Sequence, residues 1–227
     1  MPKDITSECF ELRSAAHSLI HNNVCIGGSI GISVVTSDYV HTDQNNCTKQ
    51  KEEGIEYADC NNGMIKSNTI TDQAGLGVLI DGFAPMECSY DTLLNDNISK
   101  CKNHGIQLYK DTHDIYIKDC DISTGTKAIN IQGAYGVKLE NCRLHGDGSS
   151  GSVGLFFDNS RGKVTMHGGS MDGFGHKFYI YTNKAVTTDE ILLDKVKDKN
   201  NASEFDKTLS GGGSAGSNIR VKKADHD

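Results

Sequence analysis

GIQLYKDTHDIYIKDCDI, Gly105 to Ile122, holds two short strands and the turn between them. In the first strand Ile106 and Leu108 point one way while Gln107 and Tyr109 point the other. In the second, Ile115 and Ile117 alternate with Tyr116 and Lys118 in the same manner. Period-two alternation is the signature of a strand with one buried face. Lys110 to Asp114 supplies the polar turn.

The same pattern recurs along the chain. The first inward apolar residue of each copy forms the series Phe10, Ile32, Ile55, Val78, Ile106, Ile129, Leu155 and Phe178. Successive gaps are 22, 23, 23, 28, 23, 26 and 23 residues. Each anchor has a partner two residues on: Leu12, Val34, Tyr57, Ile80, Leu108, Ile131, Phe157 and Ile180. A repeat of this length is the mark of stacked units that bury a common core. A second set of segments also aligns: LIHNNV (19–24), IKSNTI (65–70), LLNDNI (93–98), IKDCDI (117–122) and LENCRL (139–144). Read as one strand per copy, they place Asn22, Asn68, Asp96, Cys120 and Cys142 in a single column. Asn and Asp tolerate left-handed backbone, so this column is expected at a corner where each copy turns.

No helical period separates the copies, which excludes leucine-rich and ankyrin-type repeats. The remaining arrangement is all-β: one chain winding into a right-handed parallel β-helix of about eight coils, each strand pairing with its equivalent one turn below. The β-helix is expected over residues 1–209, with a Gly/Ser-rich linker and tail at 210–227. The phrases GIQLYKDTHDIYIKDCDI and AINIQGAYGVKLENCRL resemble the pectate-lyase-like β-helix superfamily, which includes polysaccharide lyases, C5-epimerases and bacteriophage tailspikes. The resemblance covers roughly residues 9 to 195. It implies the coil and not the chemistry, because the repeat encodes only the coil.

Composition narrows the partners. A net charge of −7 argues against nucleic acid, whose phosphates require a basic face. No apolar run approaches the roughly 20 residues of a membrane-spanning helix. The start, MPKDITSECF, lacks the basic and then apolar segments of a secretory signal. The chain is therefore expected to be made in the cytoplasm. It stays there, leaves by another route, or is part of a longer protein; the likeness to tailspikes implies a virion tail or the extracellular space. Eight cysteines, Cys9, Cys25, Cys47, Cys60, Cys88, Cys101, Cys120 and Cys142, form no CxxC pair. Without a secretion signal, reduced and buried thiols are favoured over disulfides.

Longer turns break the rhythm at Gly82–Thr92 and Gly146–Ser152. Such insertions either frame a binding site or are solvated loops. The charged block DKVKDK (194–199) is expected to close the last coil, and 218–222 to add a short strand. Phe10 begins a rung with no amphipathic cap before it. That predicts a homotrimer, or cover from another domain or chain.

Function must use the outward positions. One outward column of the first strand reads Glu11, Ser33, Glu56, Leu79, Gln107, Asn130, Phe156, Tyr179. The next reads Arg13, Val35, Ala58, Asp81, Tyr109, Gln132, Asp158, Tyr181. Stacked about 4.8 Å apart, they form a flat face of carboxylates, amides and rings. Rings stack on sugars, and amides and carboxylates bond hydroxyls, so Gln107, Tyr109, Asn130, Gln132, Phe156, Asp158, Tyr179 and Tyr181 are candidate substrate-binding residues. Packing against a neighbouring subunit is the rival use of the same rings. Glu56 and Asp81 lie one rung and two residues apart, roughly 8 Å. That falls within the ~6.5–9.5 Å of an inverting glycosidase pair.

Lyases and epimerases of the resembled superfamily use instead a base near the sugar C5, with calcium or a basic residue neutralising the uronate. His113 and Asp114, beside Tyr109 and Lys110, are the alternative catalytic candidates. Their run, KDTHD, departs from the DPHD type that alginate epimerases of this fold show. No calcium motif or other metal-ligand spacing occurs, so no cofactor is expected unless the chain is a calcium-using lyase. The expected function is polysaccharide recognition in the manner of phage tailspikes and tail fibres, with hydrolysis by the acid pair. The alternatives are a stand-alone polysaccharide lyase or C5-epimerase, and a structural solenoid in a larger particle.

Overall fold

The computed structural model describes residues 7–158 and 163–181, with side chains to 176, and strand backbone at 190–194, 197–199 and 209–210. Among the described residues the chain forms a parallel β-helix of three long sheets, of nine, eight and eight strands, and a fourth of two strands. All eight inward anchors fall in direct register: Phe10 pairs with Ile32, Ile32 with Ile55, Ile55 with Val78, and Val78 with Ile106. Ile106 then pairs with Ile129, Ile129 with Leu155, and Leu155 with Phe178. From Ile32 to Leu155 each described anchor is fully buried. Burial of such a side chain stabilises by roughly 1.5–3 kcal/mol, so the column contributes substantially to the cohesion of the core.

The opening stretch carries one coil. Its strands are His104–Tyr109, Thr112–His113, Tyr116–Lys118 and Asp121–Thr124. Ile106, Leu108, Ile115 and Ile117 are fully buried, as the alternation requires. The turn holds a two-residue strand of its own, because Thr112–His113 pairs with Cys88–Ser89 of the coil below.

Two readings of the second segment need correction. Each six-residue copy is two strands at a corner, not one: Met64–Lys66 belongs to the second sheet and Thr69–Thr71 to the third. The first copy is also out of register by one residue. Ile20, not Leu19, pairs with Thr42 and through it with Ile65. Leu19 and Val24 are left largely exposed. The true column is therefore Asn23, Asn45, Asn68, Asp96, Cys120 and Cys142. Nor are these residues the left-handed ones. Positive φ falls one position earlier, at Asn22, Gln44, Ser67, Asn95, Asp119 and Asn141.

The column side chains turn inward and cap the coils. Asn23 donates its backbone N–H and its amide to Oδ1 of Asn45, and Asn45 does the same to Asn68. The amides of Asn45 and Asn68 also satisfy carbonyls of the coil below, of Ile20 and Thr42, whereas that of Asn23 bonds His21 of its own coil. A second ladder joins Gln50 and Gln73 at the next corner. Buried backbone groups at the corners are thereby paired. All eight cysteines are free thiols, and all but Cys9 are buried.

Of the charged block at 194–199, residues 195–196 lie outside the described residues, and strands flank them at Glu190–Asp194 and Lys197–Lys199. Lys197–Lys199 pairs with Ser170–Asp172, and Leu209–Ser210 adds a further strand to the first sheet. The linker, tail and short strand expected beyond 210 lie outside the described residues.

Candidate functional site

The outer face of the first sheet brings the two predicted columns together. Ser33, Glu56, Leu79, Gln107, Asn130 and Phe156 follow in register, as do Val35, Ala58, Asp81 and Tyr109, and Gln132 and Asp158. Tyr179 and Tyr181 continue both columns by backbone register, and their side chains lie outside the described residues.

This face is more enclosed than the alternation suggests. Asp81 is 6% exposed and Asn130 3%. Small side chains in a parallel stack are shielded by the rungs above and below. Asp81 Oδ1 and Asn130 Oδ1 are buried with no hydrogen-bond partner. Native structures leave few such atoms, and each is costly unless something outside the chain supplies its partner.

Glu56 accepts a hydrogen bond from Ser33 Oγ at 2.7 Å. It stands one rung below and two residues away from Asp81, as predicted. Burial raises the pKa of Asp81 to about 7, with the negative charges of Asp59 and Glu56 adding to the shift. Burial also raises Glu56, against the opposing bond from Ser33. At the sheet's entry edge Glu53 is pushed to about 7 by burial and by its neighbours Glu56 and Glu52. The pair therefore includes a carboxyl that keeps its proton near neutrality, the property a general acid needs.

The rings of this face are not bare. Lys127 Nζ sits 3.6 Å from the centroid of Phe156, and Lys110 Nζ sits 4.9 Å from that of Tyr109. Both are cation–π contacts. Hydrogen bonding, by Gln107, Gln132 and Asn130, is what the face offers first. Gln107 Nε2 reaches Gln132 Oε1 at 3.4 Å, a loose contact that a ligand hydroxyl can replace.

His113 and Asp114 lie elsewhere, at the corner between the first and second sheets. Both His113 nitrogens are committed: Nδ1 to Asp114 Oδ2 and Nε2 to Glu87 Oε2, each at 2.9 Å. Burial opposes a charge on this ring, but the bonds to Asp114 and Glu87 outweigh it and raise the pKa. A doubly engaged imidazole is a poor general base. Glu87 comes from the first inserted loop, which the sequence marked as a possible frame for a site. The ring of His113 stacks on Tyr135 at 4.9 Å and meets the edge of Tyr90 at 5.8 Å. Tyr90, Tyr135 and Glu87 were missed at the sequence level, because nothing in their spacing distinguishes them from turn residues. Among the described residues no group of three or more His, Cys, Asp or Glu is placed to hold a metal ion. No helix among them is long and apolar enough to cross a membrane.

Comparison with known proteins agrees with this architecture. Residues 8–171 match the family described as right handed beta helix region. No curated protein is similar in sequence. The fold is similar to that of the periplasmic alginate epimerase AlgG, with 15% identity and a TM-score of 0.61 over 85% of this chain and 47% of that one. It is also similar to an alginate lyase from Paenibacillus sp. str. FPU-7, at 12% identity and a TM-score of 0.57 over 96% and 99% of the two chains. A third likeness is to PfbA, a surface adhesin of Streptococcus pneumoniae, at 11% identity and a TM-score of 0.52 over 86% and 62%. At such identities the likeness is one of fold. The chain spans about half the length of the epimerase.

Proposed function

The chain belongs to the right-handed β-helix family, and we propose that it is a polysaccharide-recognition module whose binding face is the outer side of the first sheet. The observation that carries this reading is the strip of partly exposed polar side chains on that face, Gln107, Gln132 and Asp158, on strands in register. Asp81 and Asn130 lie in the same strip, with Oδ1 of each buried. A chain of sugar hydroxyls laid along the strip provides donors at successive rungs. Two of the three relatives by fold carry alginate in their names, and the third is named an adhesin.

The acid pair adds hydrolysis. Asp81, protonated near neutrality, donates to the glycosidic oxygen, and Glu56 on the adjacent rung activates water. A separation of roughly 8 Å, from one rung and two residues, leaves room for that water and implies inversion. His113, the residue expected to be the base of an elimination, has both nitrogens bonded to carboxylates, which favours hydrolysis over that use of it.

We place the module in a trimeric, tailspike-like assembly that works outside the cell. Leu19, Val24 and Ile26, all more than 60% exposed on the first coil, favour cover by a neighbour. Mass in solution checks the trimer.

The test of function is a panel of capsular, O-antigen and uronate polysaccharides. Retention of the protein on at least one glycan, reduced by Gln107→Ala with Gln132→Ala, is the expected result. New reducing ends without ultraviolet-absorbing unsaturated products indicate hydrolysis; unsaturated products indicate a lyase instead. Absence of retention on every glycan overturns the reading.

A further inference from the structure

A second strip of rings climbs the corner between the first and second sheets. The backbone there stacks His17, Tyr39, Asn62, Tyr90 and Asp114 in register, each hydrogen-bonding to the coil above. All five have positive φ, between 54° and 58°. Tyrosine is a costly choice at such a position, where Asn or Gly is the ordinary residue. Yet Tyr39 and Tyr90 stand there with about half their surface in solvent. His17 lies flat on Tyr39, with centroids 4.8 Å apart and planes 5° from parallel. Further up, Tyr135 lies flat on His113, and Tyr90 meets the same imidazole edge-on. Glu87 and Asp114 clamp that imidazole from both sides. The rings are thus fixed before any ligand arrives, which lowers the entropic cost of binding.

Beside Tyr90 the surface opens into a cleft of about 480 Å³, lined by Tyr90, Asp114, Tyr116, Lys138 and Glu140 together with the backbone of the turn. The charges in it are not equivalent. Asp114 is held by His113. Glu140 is held by Lys118 Nζ at 2.7 Å and by the hydroxyl of Tyr116. Lys138 forms no ion pair among the described residues, although it is exposed on the cleft wall. The cleft therefore presents ring faces, satisfied carboxylates and one uncommitted cation.

We infer that this corner cleft is a second glycan-binding site, separate from the first-sheet face, and that it takes an acidic sugar whose ring lies on Tyr90 and whose carboxylate pairs with Lys138. With a net charge of −7 on the chain, a glycan with scattered carboxylates suits it better than one charged at every sugar. Unlike Phe156 and Tyr109 on the first-sheet face, Tyr90 carries no lysine over its ring among the described residues.

The test is titration calorimetry with four probes: a hyaluronan hexasaccharide, an alginate hexamer, hexagalacturonate and the neutral cellohexaose. At least one acidic probe binds more tightly than cellohexaose. Lys138→Ala weakens that probe about tenfold, as expected for one charge-assisted contact, and removes the preference over the neutral sugar. Tyr90→Gly, which keeps the backbone conformation, also weakens it and keeps the preference. Unchanged melting temperatures show that both variants fold. No preference for any acidic probe, or binding indifferent to both variants, overturns the inference. Binding lost only in the Gln107→Ala, Gln132→Ala variant overturns it too, while leaving the first-sheet face as the site.

Discussion

Asn68 donates both its backbone N–H and its side-chain amide to Oδ1 of Asp96, at 2.8 and 2.9 Å. Below this point the ladder is all asparagine, and the amides of Asn45 and Asn68 each have a carbonyl from the coil beneath. Asp96 stands where the next asparagine belongs. Its Oδ2 is buried without a partner, in the place where an amide would donate. Burial, against the opposing bonds from Asn68, raises its pKa to about 7.

Asp96→Asn should therefore stabilise the protein at pH 8. The carboxyl titrates near 3.8 in the unfolded chain and near 7 in the folded one. Folding thus favours the protonated form. That stabilisation is complete below about pH 4 and is lost as the pH rises through 7. Replacing the carboxylate by an amide that completes the ladder is worth about 1–3 kcal/mol at pH 8 and little at pH 4. Asp91 and Asp81 shift to about 7 in the same direction, so the wild-type protein should melt at a lower temperature at pH 8 than at pH 5. Thermal melts of both proteins across that range check the expectation; parallel curves refute it.

Ile106 and Gln107 are adjacent, and the fold treats them oppositely. Ile106 is fully buried between Val78 and Ile129, whereas Gln107 faces outward between Leu79 and Asn130. Ile106→Asp buries an unpaired charge and should cost more than about 4 kcal/mol, enough to unfold a domain of ordinary stability. Gln107→Asp should stay within about 1 kcal/mol. Circular dichroism melts separate the two, and similar losses in both would mean that the faces are misassigned.

The inward anchors were legible because every one is apolar and each is followed by another two residues on. Where two apolar residues stand side by side, as in Leu19 and Ile20, the period cannot choose between them. The choice is made by Asn23, whose amide must meet Asn45. The corner residues were less legible still. Positive φ is taken by Thr36, Tyr39, Lys49 and His17 as well as by Asn and Asp, so composition does not mark them. The clustering of Tyr90, His113, Tyr135 and Glu87 depends on an inserted loop folding back onto a corner, and no local pattern encodes that. The relative placement of Glu56 and Asp81 was readable because both residues lie on regular strands, where register alone sets their relation.

A column of small residues precedes the anchors: Gly31, Gly54, Gly77, Gly105, Ala128 and Gly154. A Cβ on Gly54, Gly77 or Gly105 would meet the Cγ2 methyl of Ile70, Ile98 or Ile122 at 2.4–2.5 Å. Ala128 is the exception, and its coil carries Leu144 where those three carry isoleucine. Leucine has no Cγ2 branch. Gly105→Ala should thus destabilise by about 1–3 kcal/mol. Adding Ile122→Leu should recover part of that loss, with a coupling of about 1 kcal/mol in a double-mutant cycle. Additive effects would show that the carbonyl of Ala128, 2.7 Å from the same Cβ, is the dominant obstacle.

The proposed catalysis by Glu56 and Asp81 makes a distinct demand on pH. Asp81 must hold its proton to act as the acid, and burial keeps it protonated up to about pH 7. Glu56 must lose its proton to act as the base, and its raised pKa delays that loss on the acidic side. The rate of reducing-end release should therefore be bell-shaped, with its alkaline limb near pH 7. Asp81→Asn removes the donated proton and should lower the rate about 10²–10⁴-fold while glycan retention persists. The alkaline limb should vanish with it, because no other group of the pair titrates there. Glu56→Gln should cost a similar factor and abolish the acidic limb instead. Either variant that retains full activity and both limbs removes the pair from the mechanism, since a residue that merely supports the sheet cannot shift one limb of the profile without the other.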